Sequence, residues 1–228
     1  KEVTHMSILT AKDVTYTYRT RYQTVHALNG VSCEFELGEM AALVGRSGSG
    51  KTTLLSLLAG LDLPDTGEVL YGGSPTAQLD RDKYRRQEVA VVYQAFHLFP
   101  LLTALENVTY PMELSGVKGK AAREKARQLL ELVGLPQTIA GQFPKMMSGG
   151  EQQRVAIARA LASDAKVILA DEPTGNLDSE NSQNIIDILL RLAHEEGRCV
   201  VLITHDNEIA TQADRVFHLK DGRIVSGL

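Results

Sequence analysis

The stretch that most constrains this chain is Gly45-Arg46-Ser47-Gly48-Ser49-Gly50-Lys51-Thr52, which fits the pattern G-x-x-x-x-G-K-[ST]. It follows the apolar run 40–44 and precedes 53–59, a helical pattern closed by Gly60. Strand, glycine loop and helix in that order predict a phosphate site. Glycines let the backbone wrap around an anion with successive N–H groups turned inward. The helix N-terminus adds partial positive charge and Lys51 a full one. The Thr52 hydroxyl is placed to ligate the Mg²⁺ that accompanies a nucleoside triphosphate.

Around this loop the pattern alternates between strands and helices. Short apolar runs at 89–92, 167–170 and 199–203 read as parallel strands covered on both faces. A β-rich run over 7–18, a polar loop over 19–24, a strand near 31–37 and a short strand over 68–71 precede or flank them. Two further strands are expected near 215–219 and 223–225. Helices are expected over 149–162 and 181–195, the second with Ile185, Ile186, Leu189, Leu192 and Ala193 inward. Between 95 and 147 strand signals give way to helical ones. Thr103 with Glu106 suggests a capping box, Pro111 is expected to kink or end that helix, and Ala122, Ala126, Leu129, Leu130 and Val133 line one face of the next. The basic cluster over 118–127 reads as a solvated face. The expected fold is α/β: a largely parallel sheet with helices on both faces, a small antiparallel β part and an inserted helical part. The expected division is a single domain with a core of 7–94 and 148–228 and a helical subdomain of 95–147.

Composition removes several function classes. With 24 basic against 28 acidic residues the formal net charge is −4, which argues against a surface that coats nucleic acid. No apolar run approaches ~18 residues, so a membrane span is not expected. Met6 reads as a natural start with residues 1–5 as an extension, and no secretory signal opens the chain. Cys33 and Cys199 sit in strand-like runs and read as core thiols of a cytoplasmic protein.

A triphosphatase needs an acidic element beside the phosphate loop, and Asp171-Glu172 supplies one at the end of the run 167–170. Asp171 is suited to hold Mg²⁺, and Glu172 to orient and deprotonate the attacking water. His205 follows the run 199–204, where it can donate to the terminal phosphate and the water. Gln94 follows 89–93 with an amide that can touch both Mg²⁺ and water. The most specific stretch is Met147-Ser148-Gly149-Gly150-Glu151-Gln152-Gln153-Arg154. Ser-Gly-Gly before a helix is a second backbone anion site, and one nucleotide has no use for it within the same chain.

At that point the chain resembles the ATPases of ATP-binding cassette (ABC) transporters, over roughly 8–225 and with each motif in the family's order. The resemblance implies that Tyr18 stacks on adenine and that Gly45 to Thr53 is the Walker A loop. It also makes Gln94 the Q-loop glutamine and Ser148 to Gln152 the signature. Asp171 and Glu172 then end the Walker B strand, Asn176-Leu177-Asp178 is the D-loop, and His205 the switch histidine. It implies ATP and Mg²⁺ as cofactors, with Thr52, Gln94 and Asp171 at the metal. Two cassettes would pair head to tail, the signature of one closing over the phosphate held by the other's Walker A. Met147 stands where Leu is commoner, a volume-conserving change. The stretch 171–179 with the signature resembles the lipoprotein-releasing, macrolide-export and antimicrobial-peptide-resistance ATPases. The implied partner is an integral membrane permease, and the implied place the inner face of the cell membrane. The alternative is a cell-division ATPase that regulates wall hydrolases. A soluble cassette protein of DNA repair or translation fits less well, since such chains usually carry long coiled-coil insertions or two cassettes.

Overall fold

The computed structural model describes residues 7–225. Met6 and the residues before it, and the last three of the expected core segment, lie outside the described residues. In chain order the elements begin with the hairpin β1 (Leu9–Arg19) and β2 (Thr24–Phe35), then β3 (Met40–Val44), α1 (Lys51–Leu58), β4 (Thr66–Tyr71) and β5 (Ser74–Pro75). Next come α2 (Arg81–Gln87), β6 (Val89–Tyr93), α3 (Ala104–Leu114), α4 (Lys120–Leu132), α5 (Gly149–Leu161), β7 (Val167–Asp171) and α6 (Ser179–His194). The series closes with β8 (Cys199–Thr204), α7 (Asn207–Ala210), β9 (Arg215–Lys220) and β10 (Arg223–Val225).

The strands form two sheets. One is antiparallel, in the order β2-β1-β4-β5; the other runs β10-β9-β3-β8-β7-β6, parallel except for the β9–β10 hairpin. Burial of the parallel strands on both faces follows from their period of two. Along β7, Ile168 and Ala170 enter the core shared with α3 to α6, while Val167 and Leu169 enter the core shared with α1 and the antiparallel sheet. Strand β8 divides the same way, Val200 and Leu202 to one side and Cys199, Val201 and Ile203 to the other. Both cysteines are buried free thiols, and burial pushes each up to about 12.

The expected apolar face of α4 is buried in full, and so are the five inward residues of α6. The Thr103–Glu106 capping box is present. Four local expectations need correction. Pro111 does not end α3, which continues to Leu114; a proline removes one i→i−4 bond but leaves the downstream turn able to form. Strand β2 begins at Thr24, not near Val31, because residues 24–29 already pair with β1. Helix α2 was not expected. It is mostly charged, yet Asp80 caps it by accepting from Asp82 and Lys83, and Tyr84 fastens it to the core by donating to Leu58 O. The four-residue α7, capped by Asp206, was not expected either.

Candidate functional site

The register of the parallel sheet sets the site. Val44 pairs with Thr204, Ile203 with Asp171, and Asp171 with Tyr93. The C-terminal ends of β3, β8, β7 and β6 therefore lie at one edge, and the residues that follow them (Gly45, His205, Glu172 and Gln94) leave from adjacent strands. Ligands of open α/β sheets bind at this edge.

The loop from Gly45 to Lys51 shows why glycine is required. A Cβ on Gly45 would stand 2.3 Å from Leu219 O and 2.6 Å from Ser49 Oγ, and Gly50 turns into α1 at φ 106°. Gly222 N donates to Ser49 O, so the β9–β10 turn braces the loop from behind. Arg46, Ser47 and Gly48 are exposed. Lys51 is buried, and its Nζ donates to Gly45 O at 2.7 Å and Arg46 O at 3.2 Å, curling over the loop it belongs to. The Ser49 hydroxyl is buried with no partner. A positive group held by loop carbonyls, an orphaned buried hydroxyl and a backbone too close-packed for side chains fit a bound phosphate chain.

Asp171 faces this loop. Burial raises its carboxyl above the ordinary value, helped by the Glu172 charge and opposed by Lys51 and by the Thr52 hydroxyl bond. A half-buried carboxylate between a hydroxyl and an ammonium is a donor set suited to a hard cation. Glu172 stands at φ 47°, a left-handed conformation that costs a non-glycine residue on the order of 1–3 kcal/mol. Its N–H donates to Ile203 O, and its Oε2 lies 2.8 Å from His205 Nδ1. Gln94 lies across from 175–176: Asn176 Nδ2 donates to Gln94 O at 3.1 Å, and a Cβ on Gly175 would meet the Gln94 amide at 2.5 Å. Tyr18, about half exposed, reaches the start of α1 with its hydroxyl 3.2 Å from Thr53 Oγ1. Thr52 is exposed at the loop's end.

The second glycine pair is built differently. Ser148 caps α5 reciprocally with Glu151: its Oγ accepts from Glu151 N, and Glu151 Oε2 accepts from Ser148 N at 2.7 Å. Gly150 is fixed by Asn181, since a Cβ there would stand 2.2 Å from Asn181 Oδ1. Asn181 in turn donates to Asp178, the exposed cap of α6, and the Asn181 N–H holds the Asp178 carboxyl below its ordinary value. Ser148 is exposed. Among the described residues no hydrogen bond or ion pair joins 148–151 to the loop 45–52. Asn181 is a positioning residue that motif reading passed over; it shows itself through its approach to Gly150, which is distant in sequence.

The chain as a whole is similar to proteins of one family. The family model described as "ABC transporter" matches residues 28–175. An ABC transporter ATP-binding protein of Mycobacterium tuberculosis is 43% identical over 96% of this chain and 89% of its own. The lipoprotein-releasing system ATP-binding protein LolD 2 of Rhodopirellula baltica is 45% identical over 94% of this chain and 88% of its own. Among solved structures, the ATP-binding cassette MJ0796 of Methanocaldococcus jannaschii, dimeric and bound to ADP and Pi in a post-hydrolysis state, superposes with TM-score 0.87. It is 40% identical, covering 95% of this chain and 96% of that one. The fold is that of a P-loop ATPase cassette, and the chain belongs to the ABC transporter family as an ATP-binding ATPase subunit.

Proposed function

We propose that two copies of this chain pair head to tail on two ATP molecules and drive a separate membrane permease of the export, lipoprotein-release or peptide-antibiotic-resistance type. The observation that carries this reading is the exposed N-terminus of α5. It is capped, glycine-lined and oriented by Asn181, yet bonded to nothing in its own phosphate loop. A second copy, related by a two-fold axis, supplies what it lacks. The relatives support the reading: one is named for lipoprotein release, and the macrolide export protein MacB of Chlorobium phaeobacteroides, of which this chain matches 33%, carries cassette and permease in one name. Among the described residues no helix is long and apolar enough to cross a membrane. The proposed place is the inner face of the cell membrane, held there by the permease.

In this reading the backbone of Gly45 to Thr53 wraps the phosphates, Lys51 leaves its loop carbonyls for them, and Tyr18 stacks on the base. Thr52, Asp171 and Gln94 would hold Mg²⁺, which supplies Lewis-acid clamping of the phosphate oxygens when bound. Glu172, oriented by His205, takes the proton of the attacking water at its carboxylate. Ser148, Gly149, Gly150 and Glu151 complete the partner's site from α5, and Asp178 lines the join. The division into a core of 7–94 and 148–228 and a helical arm of 95–147 belongs to the same proposal. So does a docking groove of about 370 Å³, lined by Arg85, Phe99, Tyr110, Pro111 and Leu114, for a permease helix.

The test is Glu172→Gln, which keeps the shape of the side chain but removes the base. Hydrolysis falls by at least ~10²-fold while ATP still binds. Size-exclusion chromatography then gives a dimer in MgATP and a monomer without nucleotide. A variant that stays monomeric at saturating MgATP contradicts the paired site.

A further inference from the structure

Just beyond Gln94, two successive residues stand in left-handed backbone, Phe96 at φ 58° and His97 at φ 49°, and neither is glycine. Bulky residues hold that conformation only when their surroundings over-determine it. What holds it here is Arg159, on α5. Its guanidinium donates from Nη1 to His97 O at 2.5 Å and from Nη2 to Phe96 O at 3.0 Å, and lies 5.8 Å from the Phe99 ring centroid. Burial lowers its pKa from the ordinary value. The guanidinium is partly buried, and the two carbonyls replace part of the hydration it loses. The first turn of the same helix touches the same segment: a Cβ on Gly149 would stand 3.7 Å from Phe96 Cζ. Helix α5 thus grips the turn after Gln94 at its first residues and again about three turns later.

We propose that Arg159 is a positioning residue for ATP hydrolysis, its fork locking Phe96 and His97 in paired left-handed conformations so that Gln94 moves with the helix that begins at Ser148. This rests on the reading above that gives Gln94 and Ser148 to the two halves of the site. Lysine cannot substitute fully, because one ammonium on a flexible stem does not present a planar fork to two carbonyls. The role does not touch ATP directly, so turnover suffers and nucleotide affinity does not.

The experiment measures ATP turnover against ATP concentration for the full chain and for Arg159→Gln, Arg159→Lys, His97→Gly and the double variant Arg159→Gln/His97→Gly. Arg159→Gln loses about tenfold or more in kcat with KM for ATP within about twofold, and Arg159→Lys falls between it and the parent. Glycine adopts the left-handed conformation without steric cost, so the double variant recovers several-fold over Arg159→Gln. A parental kcat in Arg159→Gln overturns the proposal. So does a double variant no faster than the single one, since a merely structural arginine is not replaced by a glycine elsewhere. If Arg159→Gln does not fold, Arg159→Lys with and without His97→Gly decides in the same way. A parent whose turnover ignores Glu172→Gln strikes the assignment of the site itself; an active, Glu172-dependent parent with a silent Arg159 strikes only this inference.

Discussion

The two glycine-lined cradles of this chain differ in how they are completed. The loop 45–52 is finished from within: Lys51 lies on its carbonyls, Asp171 bonds to Thr52, and neighbouring strands bring Glu172, His205 and Gln94 to the same edge. The cradle at 148–150 has its cap and its brace at Asn181 but, among the described residues, no bond to the loop 45–52. A helix N-terminus with N–H groups free of intrahelical partners is suited to bind an anion. On the proposed pairing, binding and hydrolysis are separable: one cradle would suffice to take up ATP, and the other would commit it to reaction.

The sharpest contrast is between substitutions in the two cradles. Lys51→Ala removes the charge on the phosphates, and MgATP affinity falls by about 10²-fold or more, measured by calorimetry. Ser148→Arg leaves affinity in the separate chain within a few-fold but abolishes hydrolysis, because bulk and positive charge meet the partner's Lys51 region. Loss of binding in Ser148→Arg would mean that both cradles serve one nucleotide in one chain.

A smaller effect is expected away from both cradles. Leu101 is 86% exposed, and Leu114, 62% exposed, lines the apolar groove. Exposed apolar clusters of this kind mark partner surfaces. Replacing both by Ser leaves ATP hydrolysis of the separate chain within a few-fold, while stimulation by a reconstituted permease is lost. Full stimulation in that variant would place the docking surface elsewhere.

The smallest effect concerns the scaffold beneath the first cradle. Asp214 accepts from Met40 N at 2.8 Å and from His194 Nε2 at 2.9 Å, fastening the start of β3 to the start of β9. Burial pushes its carboxyl up, but those bonds outweigh it and the net value is lowered. A lowered carboxylate contributes stability that is present above its unfolded value and lost as pH falls towards its folded one. Asp214→Ala therefore lowers stability by about 1 kcal/mol at neutral pH, and the gap from the parent closes in the acid range, read by denaturant melts. A gap that stays constant to low pH would show that packing, not charge, accounts for the loss.

Much of this was legible in the sequence, for a physical reason. Strands buried on both faces are continuous apolar runs, so β3, β6, β7 and β8 announce themselves, and Gly45, Gln94, Glu172 and His205 stand immediately after them. What stayed hidden depends on contacts distant along the chain. The strand character of 24–30 comes from pairing with β1, and the helix at 81–87 from a cap and one buried tyrosine. The left-handed backbone of Phe96, His97 and Glu172 carries no glycine to signal it. The bonds of Gln94 to Asn176 and of Arg159 to 96–97 span 62 to 82 positions, beyond any local pattern.

The claim that the second cradle is completed only by another copy is tested most directly by mixing two inactive variants. Each composite site needs one chain's Lys51 and the other chain's Ser148. A heterodimer of Lys51→Ala with Ser148→Arg therefore puts both lesions in one site and leaves the other whole. An equimolar mixture should recover ATP hydrolysis to roughly a quarter of the parent's rate, since about half the dimers are mixed and each has one intact site of two. A mixture no more active than its separate components would contradict the account.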